Sequence, residues 1–356
     1  MTVTGTLSFL VRILFVFGLI ESVAVAHPPR QETVSKESVS VLAAGDLMLG
    51  HRLVSVIRRR GVDYPFDSVA SVIREADIAV ANLEAPFTTG GTAFQKEYNF
   101  AVPPSFITGP VRAGFDLFTL ANNHILDFGV EGLRSTIHTL DSTGIAYCGA
   151  GFDLEESIRP ALLTRKGIRF GFLAFSLTFP EAFWASPGRA GTAYVRPEKL
   201  ETIIRKVRES ADVVIVSFHW GGESVTEPRP YQIQYARRAI DAGADLVFGH
   251  HPHVLQGLEI YKGRLIAYSL GNFIFGSYSA KVHDGALLRT WFSAEGLRAA
   301  EILPISVNNY TVRFQPRLFH SAERLKTIES LNALSKPLNG GKELLRPDGS
   351  IRFKTD

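Results

Sequence analysis

The sequence predicts an α/β fold, because short β-rich apolar runs alternate with segments of helical spacing from residue 39 onward. Glycines such as Gly144 and Gly243 follow helical segments, where helices commonly end. The 356 residues are 46% hydrophobic and 21% charged, which is typical of a folded protein. A chain of this length can bury a large core, in one domain or in two.

The apolar runs predict strands at 39–44, 77–83, 115–121, 170–176, 213–218, 245–249 and 265–270. Helical spacing or a helix-starting proline predicts helices at 53–60, 66–76, 133–142, 197–209 and 230–242. After residue 280 the pattern predicts antiparallel strands at 287–292, 299–303 and 312–314, then a helix around 322–334. We therefore expect a domain at 39–280 and expect 281–356 to complete the same domain.

The amino terminus has the composition of a secretory signal. Residues 1–26 contain Arg12, an apolar stretch at 13–20 and the small-residue end Ala24-Val25-Ala26. The polar, proline-bearing residues 27–38 predict a linker. The expectation is an exported protein, periplasmic or otherwise in the cell envelope, with the signal either cleaved or retained as an anchor. The single Cys148 forms no internal disulfide and is expected to be a buried, inert thiol.

Charge and motifs exclude several classes of function. The 38 Lys and Arg nearly balance 35 Asp and Glu, so no basic field indicates nucleic acid as a partner. The chain has no Gly-x-Ser-x-Gly elbow, no phosphate loop, no dinucleotide glycine fingerprint and no His-Glu-x-x-His. A serine hydrolase, an ATP-dependent ligase and a NAD enzyme are therefore not expected.

Chemically unusual side chains cluster at the carboxyl ends of five predicted strands, where open α/β sheets place their ligand sites. In chain order these side chains are Asp46, Asn82, Glu84, Asn122, Asn123, His124, Asp127, His219, His250, His251 and His253. Each alone is commonly a helix cap, a turn residue or a structural histidine. Their coincidence at one sheet edge predicts a shared site.

The mixture of carboxylate, amide and imidazole groups suits manganese, zinc or iron, and the lack of cysteine argues against a structural zinc knuckle. A bridging carboxylate can hold two ions about 3.5–4 Å apart, a spacing suited to phosphate-type displacement. The sharpest local signal is His251-Pro-His253. In an extended loop, residues two apart point to the same side, so both imidazoles could reach one cluster.

Six ordered blocks extend this pattern. They are AGDLMLG at 44–50, ANLE at 81–84, LANNHILDFG at 120–129, FHWG at 218–221, GHHPHV at 249–254 and YSLGNFIF at 268–275. Together they resemble the CapA family of capsule-synthesis proteins. That family is related to poly-γ-glutamate synthesis and belongs to the calcineurin-like metallophosphoesterase superfamily.

The resemblance implies a four-layer α/β/β/α sandwich with two divalent metal ions at one edge of the sheets. Carried over by position, the implied metal ligands are Asp46, Glu84 (the bridging residue), Asn123, His219, His251 and His253. His124 matches the histidine that protonates the leaving group or stabilises the transition state, and Asp127 would orient it. Asn82, Asn122, His250, Trp220 and Asn272 are expected to contact substrate or to support the ligands.

Some positions depart from the superfamily pattern or leave alternatives open. Met48 stands where the superfamily has a metal histidine, so one site has lost a nitrogen ligand. His51 either replaces that ligand or caps the following helix. Asn272 either shapes the pocket or forms a tight turn with Gly271, and Trp220 either walls the substrate or belongs to a plain loop.

The leading expectation is an exported metal-dependent hydrolase or transferase that synthesises, transports or trims an anionic capsule polymer such as poly-γ-glutamate. Basic side chains near the site would receive the polymer; they are Lys96, Arg189, Arg229 and Lys281. A membrane-bound polymer synthetase or exporter would supply the ATP-using step. Two alternatives stay open: a general periplasmic phosphoesterase acting on small phosphorylated substrates, and a non-catalytic capsule-assembly subunit.

Overall fold

The computed structural model describes residues 1–2 and 38–353, and residues 38–353 belong to one unit, Val34–Asp356. The signal segment expected at 1–26 and the linker at 27–38 therefore lie almost entirely outside the described residues. Within 38–353, none of the helices combines the length and the apolar character that a bilayer crossing requires.

The strands of this unit, in chain order, are β1 (Val39–Met48), β2 (Ile78–Leu83), β3 (Leu117–Thr119), β4 (Ala146–Cys148), β5 (Ala150–Gly151), β6 (Ala161–Arg165), β7 (Ile168–Ser176), β8 (Gly191–Thr192), β9 (Val213–His219), β10 (Leu246–His250), β11 (Leu258–Tyr261), β12 (Arg264–Ala267), β13 (Asn272–Phe275), β14 (Asp284–Ser293), β15 (Gly296–Ser306) and β16 (Arg317–Leu318). The α-helices are α1 (Arg52–Arg60), α2 (Ala70–Arg74), α3 (Thr108–Ala113), α4 (Gly129–Thr143), α5 (Leu154–Ser157), α6 (Pro197–Arg208), α7 (Pro230–Asp241), α8 (Asn309–Val312) and α9 (Ser321–Ser335). Single 3-10 turns span Pro104–Ile107, Glu181–Phe183 and Lys336–Asn339.

Two large sheets organise these strands. The first has the order β16-β15-β14-β1-β2-β3-β4, with β13 pairing the end of β1, and the second has the order β11-β12-β10-β9-β7-β6. Strands β1 to β4 are parallel, as are β7, β9, β10 and β12. Strand β14 pairs β1 in antiparallel fashion, so residues after 280 extend the first sheet.

Three hydrophobic clusters show how the layers stack. Val41 and Val80 of the first sheet share one cluster with Ile215 and Phe248 of the second, so the two sheets pack face to face. The other face of the first sheet packs on α1 to α4, and the other face of the second packs on α6 and α7. The chain is therefore an α/β/β/α sandwich, which confirms the predicted fold class.

The helix boundaries follow the expected local signals. Pro197 and Pro230 begin α6 and α7, and Gly144 ends α4 in the left-handed conformation with φ 72°. The strand predicted at 312–314 is wrong: Val312 ends the short helix α8, and the next two residues have φ of 54° and 67°, which a strand does not allow. The helix predicted at 66–76 is shorter, since only Ala70–Arg74 is helical.

Candidate metal centre

Side-chain alternation along the strands directs the predicted ligands into the space between the sheets. In β2, Ile78 and Val80 face the inter-sheet core, so the same face continues to Asn82 and then to Glu84. In β9, Val213 and Ile215 face that core, so His219 does as well. The same count in β10, from Leu246 and Phe248, places His250 there. The parallel strands end together, which gathers these polar groups at one edge.

Asp46 reaches this space through an irregularity in β1. Leu42, Ala44 and Leu47 all pack on the helix-covered face, so the alternation reverses between residues 44 and 47. The pairing of β1 with β2 shifts register between Ala43 and Asp46. A bulge of this kind redirects a side chain, and here it turns Asp46 toward the second sheet.

Two amides hold the carboxylates of the first sheet. Asn82 Nδ2 donates to Asp46 Oδ1 at 2.9 Å and to Glu84 Oε2 at 3.2 Å. Asn122 Nδ2 donates to Asn82 Oδ1 at 3.0 Å, and Asn122 Oδ1 accepts from the backbone N–H of His124 at 3.0 Å. Asp46, Glu84 and Asn122 have 0% exposure, so this network is fully buried. Asn82 therefore holds both carboxylates, and Asn122 in turn holds Asn82 and the backbone of His124.

The imidazoles of the second sheet face these oxygens. Nδ1 of His250 lies 3.1 Å from Asp46 Oδ1, and Nδ1 of His253 lies 3.1 Å from Asp46 Oδ2. His219 Nε2 lies 2.7 Å from Asn123 Oδ1. The rings of His219 and His251 are 4.8 Å apart between centroids. Side chains from five strands and the loops that follow them thus meet in one cluster.

We expected the loop that carries His251 and His253 to be extended, and this expectation is wrong. His251 has φ 93° and His253 has φ 59°, values that residues other than glycine adopt rarely. The two imidazoles still lie on the cluster, with ring centroids 6.0 Å apart. Strained backbone of this kind is concentrated at functional sites.

Three titratable side chains of the cluster, Asp46, Glu84 and His253, have pKa values far from their usual ranges. Burial raises the pKa of Asp46, but hydrogen bonds and positive charge from His250 and His253 hold it well below its usual range. Burial and the charge of Asp46 raise the pKa of Glu84 well above its usual range. Burial lowers the pKa of His253, but the carboxylates of Glu84 and Asp46 outweigh it and raise that pKa to about 10.

Two further imidazoles, those of His219 and His251, have lowered pKa values. Burial and the nearby positive charge of His253 lower the pKa of His251 to about 3. Burial and His251 likewise lower the pKa of His219 well below its usual range. Neutral imidazole is the form that binds metal ions, so these two side chains are ready to do so.

Three overlapping groups of side chains have donor atoms within 4.8 Å of one another: Asp46 with Glu84 and His253, Glu84 with His219 and His251, and Glu223 with His251 and His253. Glu84 Oε1 and His251 Nδ1 are buried and have no hydrogen-bond partner among the described residues. A divalent cation would satisfy both atoms and compensate the carboxylates. The residues present therefore fit a metal ion.

His124 and Asp127 lie beside this cluster. Asp127 Oδ2 is 2.8 Å from His124 Nδ1, and Asp127 also forms an ion pair with Lys96 at 2.5 Å. Lys96 Nζ donates to the backbone oxygen of Asn123 at 2.6 Å. Burial lowers the pKa of His124, although Asp127 opposes the shift. Asp127 thus occupies one ring nitrogen of His124 and leaves Nε2 for other partners.

Two further expectations need correction. Trp220 is no substrate wall, because it has 0% exposure, stacks on Phe218 with centroids 4.4 Å apart and donates from Nε1 to the backbone oxygen of Tyr268. His51 makes no side-chain cap hydrogen bond and belongs to none of the possible metal groups in 38–353. Its Nδ1 instead lies 3.2 Å from the backbone oxygen of Gly276.

Asn272 supports a ligand and does not itself form the tight turn. Its Oδ1 lies 2.9 Å from His253 Nδ1, and it pairs with Asp46 across β13 and β1. The left-handed residue beside it is Gly271, with φ 67°. The sequence analysis missed Glu223 as a possible ligand and gave Lys96 only a general basic role. Glu223 follows His219 by four positions across two glycines, a spacing that could have indicated a carboxylate returning toward the strand end.

Comparison with known proteins agrees with this architecture. The profile of the family described as "Bacterial capsule synthesis protein PGA_cap" matches residues 40–277. The chain is 31% identical over 334 residues to the PGA biosynthesis protein CapA of Bacillus subtilis, covering 93% of this chain and 86% of that protein. It is 30% identical over 279 residues to the capsule biosynthesis protein CapA of Bacillus anthracis, covering 76% of this chain and 68% of that protein.

Solved structures support the fold. A Staphylococcus aureus protein assigned as a 5′-nucleotidase, solved with α-ketoglutarate, superposes with a TM-score of 0.50 at 16% identity. The alignment covers 85% of this chain and 58% of that one. The two chains therefore share a fold, in agreement with the expected α/β/β/α sandwich.

Proposed function

Because the chain belongs to the bacterial capsule synthesis protein family PGA_cap, we propose that it is an exported, metal-dependent hydrolase or transferase that acts on an anionic capsule polymer such as poly-γ-glutamate. The observation that carries this proposal is the buried cluster in which Glu84 Oε1 and His251 Nδ1 have no hydrogen-bond partner within residues 38–353, beside the His124–Asp127 pair. A solely structural role would leave these buried groups uncompensated.

The proposed cofactor is a pair of manganese, zinc or iron ions held by Asp46, Glu84, Asn123, His219, His251 and His253. When bound, such ions act as Lewis acids and make water nucleophilic near neutral pH. The protein's own part is proton transfer: His124 exchanges a proton with the leaving group at Nε2, while Asp127 holds Nδ1. Lys96 neutralises Asp127 and thereby keeps this pair in place.

The proposed location is the cell envelope, reached through the signal at 1–26, with a polymer synthetase or exporter in the membrane as partner. This part of the proposal rests on the amino-terminal composition. Fractionation of cells, followed by mass measurement of the mature amino terminus, tests it. Protein found only in the cytoplasmic fraction would contradict it.

The chemical test compares His124→Ala with His138→Ala, an exposed histidine on α4 that serves as the matched control. Metal content is measured first, because wild type prepared without chelators should contain divalent ions. Cleavage of poly-γ-glutamate and of simple phosphate esters is then followed with added Mn²⁺. We expect His124→Ala to lower the rate about 10²- to 10⁴-fold and the control to retain it.

A cellular test separates an enzyme from an assembly subunit. Polymer output should fall to the same low level in a deletion strain and in a strain carrying His124→Ala. Full output with His124→Ala, together with loss on deletion, would instead indicate a non-catalytic assembly role. Turnover of phosphate esters but not of polymer would indicate a general phosphoesterase.

A further inference from the structure

Glu223 stands apart from the other carboxylates near the cluster. It is exposed, whereas Asp46 and Glu84 have 0% exposure. Its carboxylate nevertheless lies within 4.8 Å of ring nitrogens of both His251 and His253. Glu223 therefore approaches the metal centre from the solvent side, opposite the buried carboxylates.

The turn that carries Glu223 is held against the histidine loop. Ser224 donates its backbone N–H to the oxygen of Pro252 at 2.9 Å, and Gly221 donates its N–H to the hydroxyl of Tyr231 at 2.7 Å. Gly221 has φ 90°, which favours glycine at this position. The turn and the His251–His253 loop thus form one connected rim, and the position of Glu223 follows from backbone contacts.

The two halves of the centre are unequally supplied with ligands. Among the residues that the structure describes, one half has Glu84, Asn123, His219 and His251, while the other has Asp46, Glu84 and His253. Met48 does not complete the second group, because it is fully buried in the helix-side core and its sulfur accepts the N–H of Gly50 at 3.1 Å. The carboxylate of Glu223 lies within 4.8 Å of a ring nitrogen of His253, which belongs to this poorer half. Because the other half already has four donors, the position open to Glu223 is in the poorer half.

We propose that Glu223 is the fourth protein ligand of the cation held by Asp46, Glu84 and His253. The inference rests on the proposed function, since it assigns a residue to that metal centre. Ligand atoms about 2.1 Å from a tetrahedral ion lie about 3.4 Å apart, so the donor atoms of Glu223 and His253, now within 4.8 Å of each other, would approach by up to about 1.4 Å on binding. Glu223 thereby takes the place in coordination that Met48 cannot fill.

The test measures metal binding rather than activity. Metal-free full-length protein is dialysed against graded Mn²⁺, and bound metal is counted by elemental analysis. Glu223→Gln is compared with wild type and with Glu227→Gln, a matched control because Glu227 is exposed on the same loop and belongs to no possible metal group among the described residues. We expect two ions in wild type and in the control, and one of them bound at least about tenfold more weakly in Glu223→Gln.

A second comparison identifies the ion. Asp46→Asn should lose the ion of the poorer half, so adding Glu223→Gln to Asp46→Asn should not weaken the ion that is left. Weakening of that remaining ion would overturn the assignment, as would a Glu223→Gln protein with wild-type metal content and affinity. Wild type that takes up no Mn²⁺ would overturn the proposed function as well, whereas normal uptake with an unaffected Glu223→Gln would overturn this inference alone.

Discussion

The two sheets contribute different chemistry to the centre. The first sheet supplies oxygen atoms from Asp46 and Glu84, buried and held together by the amide of Asn82. The second supplies nitrogen atoms, several of them from a loop in which His251 and His253 adopt left-handed backbone. The oxygen side is thus set by regular strands and one bulge, whereas the nitrogen side depends on a strained loop.

This difference also appears in electrostatics. On the oxygen side, the two carboxylates repel each other. The pKa of Asp46 is lowered, whereas burial and the charge of Asp46 raise the pKa of Glu84. On the nitrogen side, burial and mutual repulsion keep His219 and His251 neutral. Each side alone is unfavourable in a buried site, and a shared cation would stabilise both. The following predictions test the two sides separately.

The largest effect is expected from Glu84→Gln, because Glu84 belongs to both metal groups that contain the first-sheet carboxylates. This change should remove the stabilisation that Mn²⁺ gives in thermal unfolding. Glu227→Gln is the control, and unchanged stabilisation by Mn²⁺ in Glu84→Gln would contradict the prediction.

A smaller effect is expected from Asp127→Asn, which should lower the rate of the proposed reaction about 10- to 100-fold through loss of His124 positioning. The carboxylate of Asp127 raises the pKa of His124 against burial. Its removal should therefore move the alkaline limb of the kcat/KM profile to lower pH, because His124 must carry the proton that it gives to the leaving group. The comparison variant is Asp141→Asn, an exposed carboxylate near the end of α4. A lowered rate with an unshifted alkaline limb would indicate only structural damage.

The nitrogen side predicts a pH dependence of the metal-free protein. The folded pKa of His251 is about 3, below the value near 6.5 of an unfolded chain, so the unfolded state binds more protons between these values. Stability is therefore lost as pH falls from about 6.5 to about 3. His251→Gln should lose less stability than wild type over this window, by on the order of 1–3 kcal/mol, in urea titrations at pH 7 and pH 4.

His253 provides the opposite sign for comparison. The folded pKa of His253 is raised to about 10, above the unfolded value near 6.5. Its contribution to the stability of the folded protein is therefore fully present below about pH 6.5 and is lost as pH rises through 10. His253→Gln should therefore flatten the alkaline side of the stability profile and leave the acid side steep. Equal effects of both variants on the acid side would show that the two imidazoles are not held in different charge states.

Much of the site could be predicted from the sequence, because parallel strands with period-two alternation deliver their final polar residues to one edge. Glu84, His219 and His250 follow this rule directly. Asp46 reaches the site for a reason that the pattern does not show, since β1 continues to Met48 and a bulge redirects the side chain. A bulge is a matter of pairing with a neighbouring strand, and one strand's sequence does not reveal it.

Loop positions could not be predicted in the same way. The positive φ of His251 and the return of Glu223 toward the cluster depend on contacts with Pro252 and Tyr231. Trp220 seemed available to substrate because it follows His219, yet its ring stacks on Phe218 in the core. The edge strand β6 also lacked a signal, since only Ala161 is buried and the other residues of this short hairpin strand are partly or fully exposed.

The smallest effect is expected at the ends of the sheets that lie away from the metal centre. There an ion pair connects the two sheets. Lys166 Nζ lies 2.8 Å from Asp77 Oδ2, with side-chain exposures of 46% and 25%. Burial raises the pKa of Asp77, but Lys166 and Ser40 outweigh it and lower that pKa. The contribution of Asp77 to the free energy of unfolding is thus present above its unfolded pKa near 3.9 and is lost as pH falls below that value. Lys166→Met should cost less than about 1 kcal/mol, and nothing in 1 M salt, because an exposed pair is screened. The same substitution at exposed Lys199 is the control, and a larger, salt-independent loss would mean that this end fixes the spacing of the two halves of the metal centre.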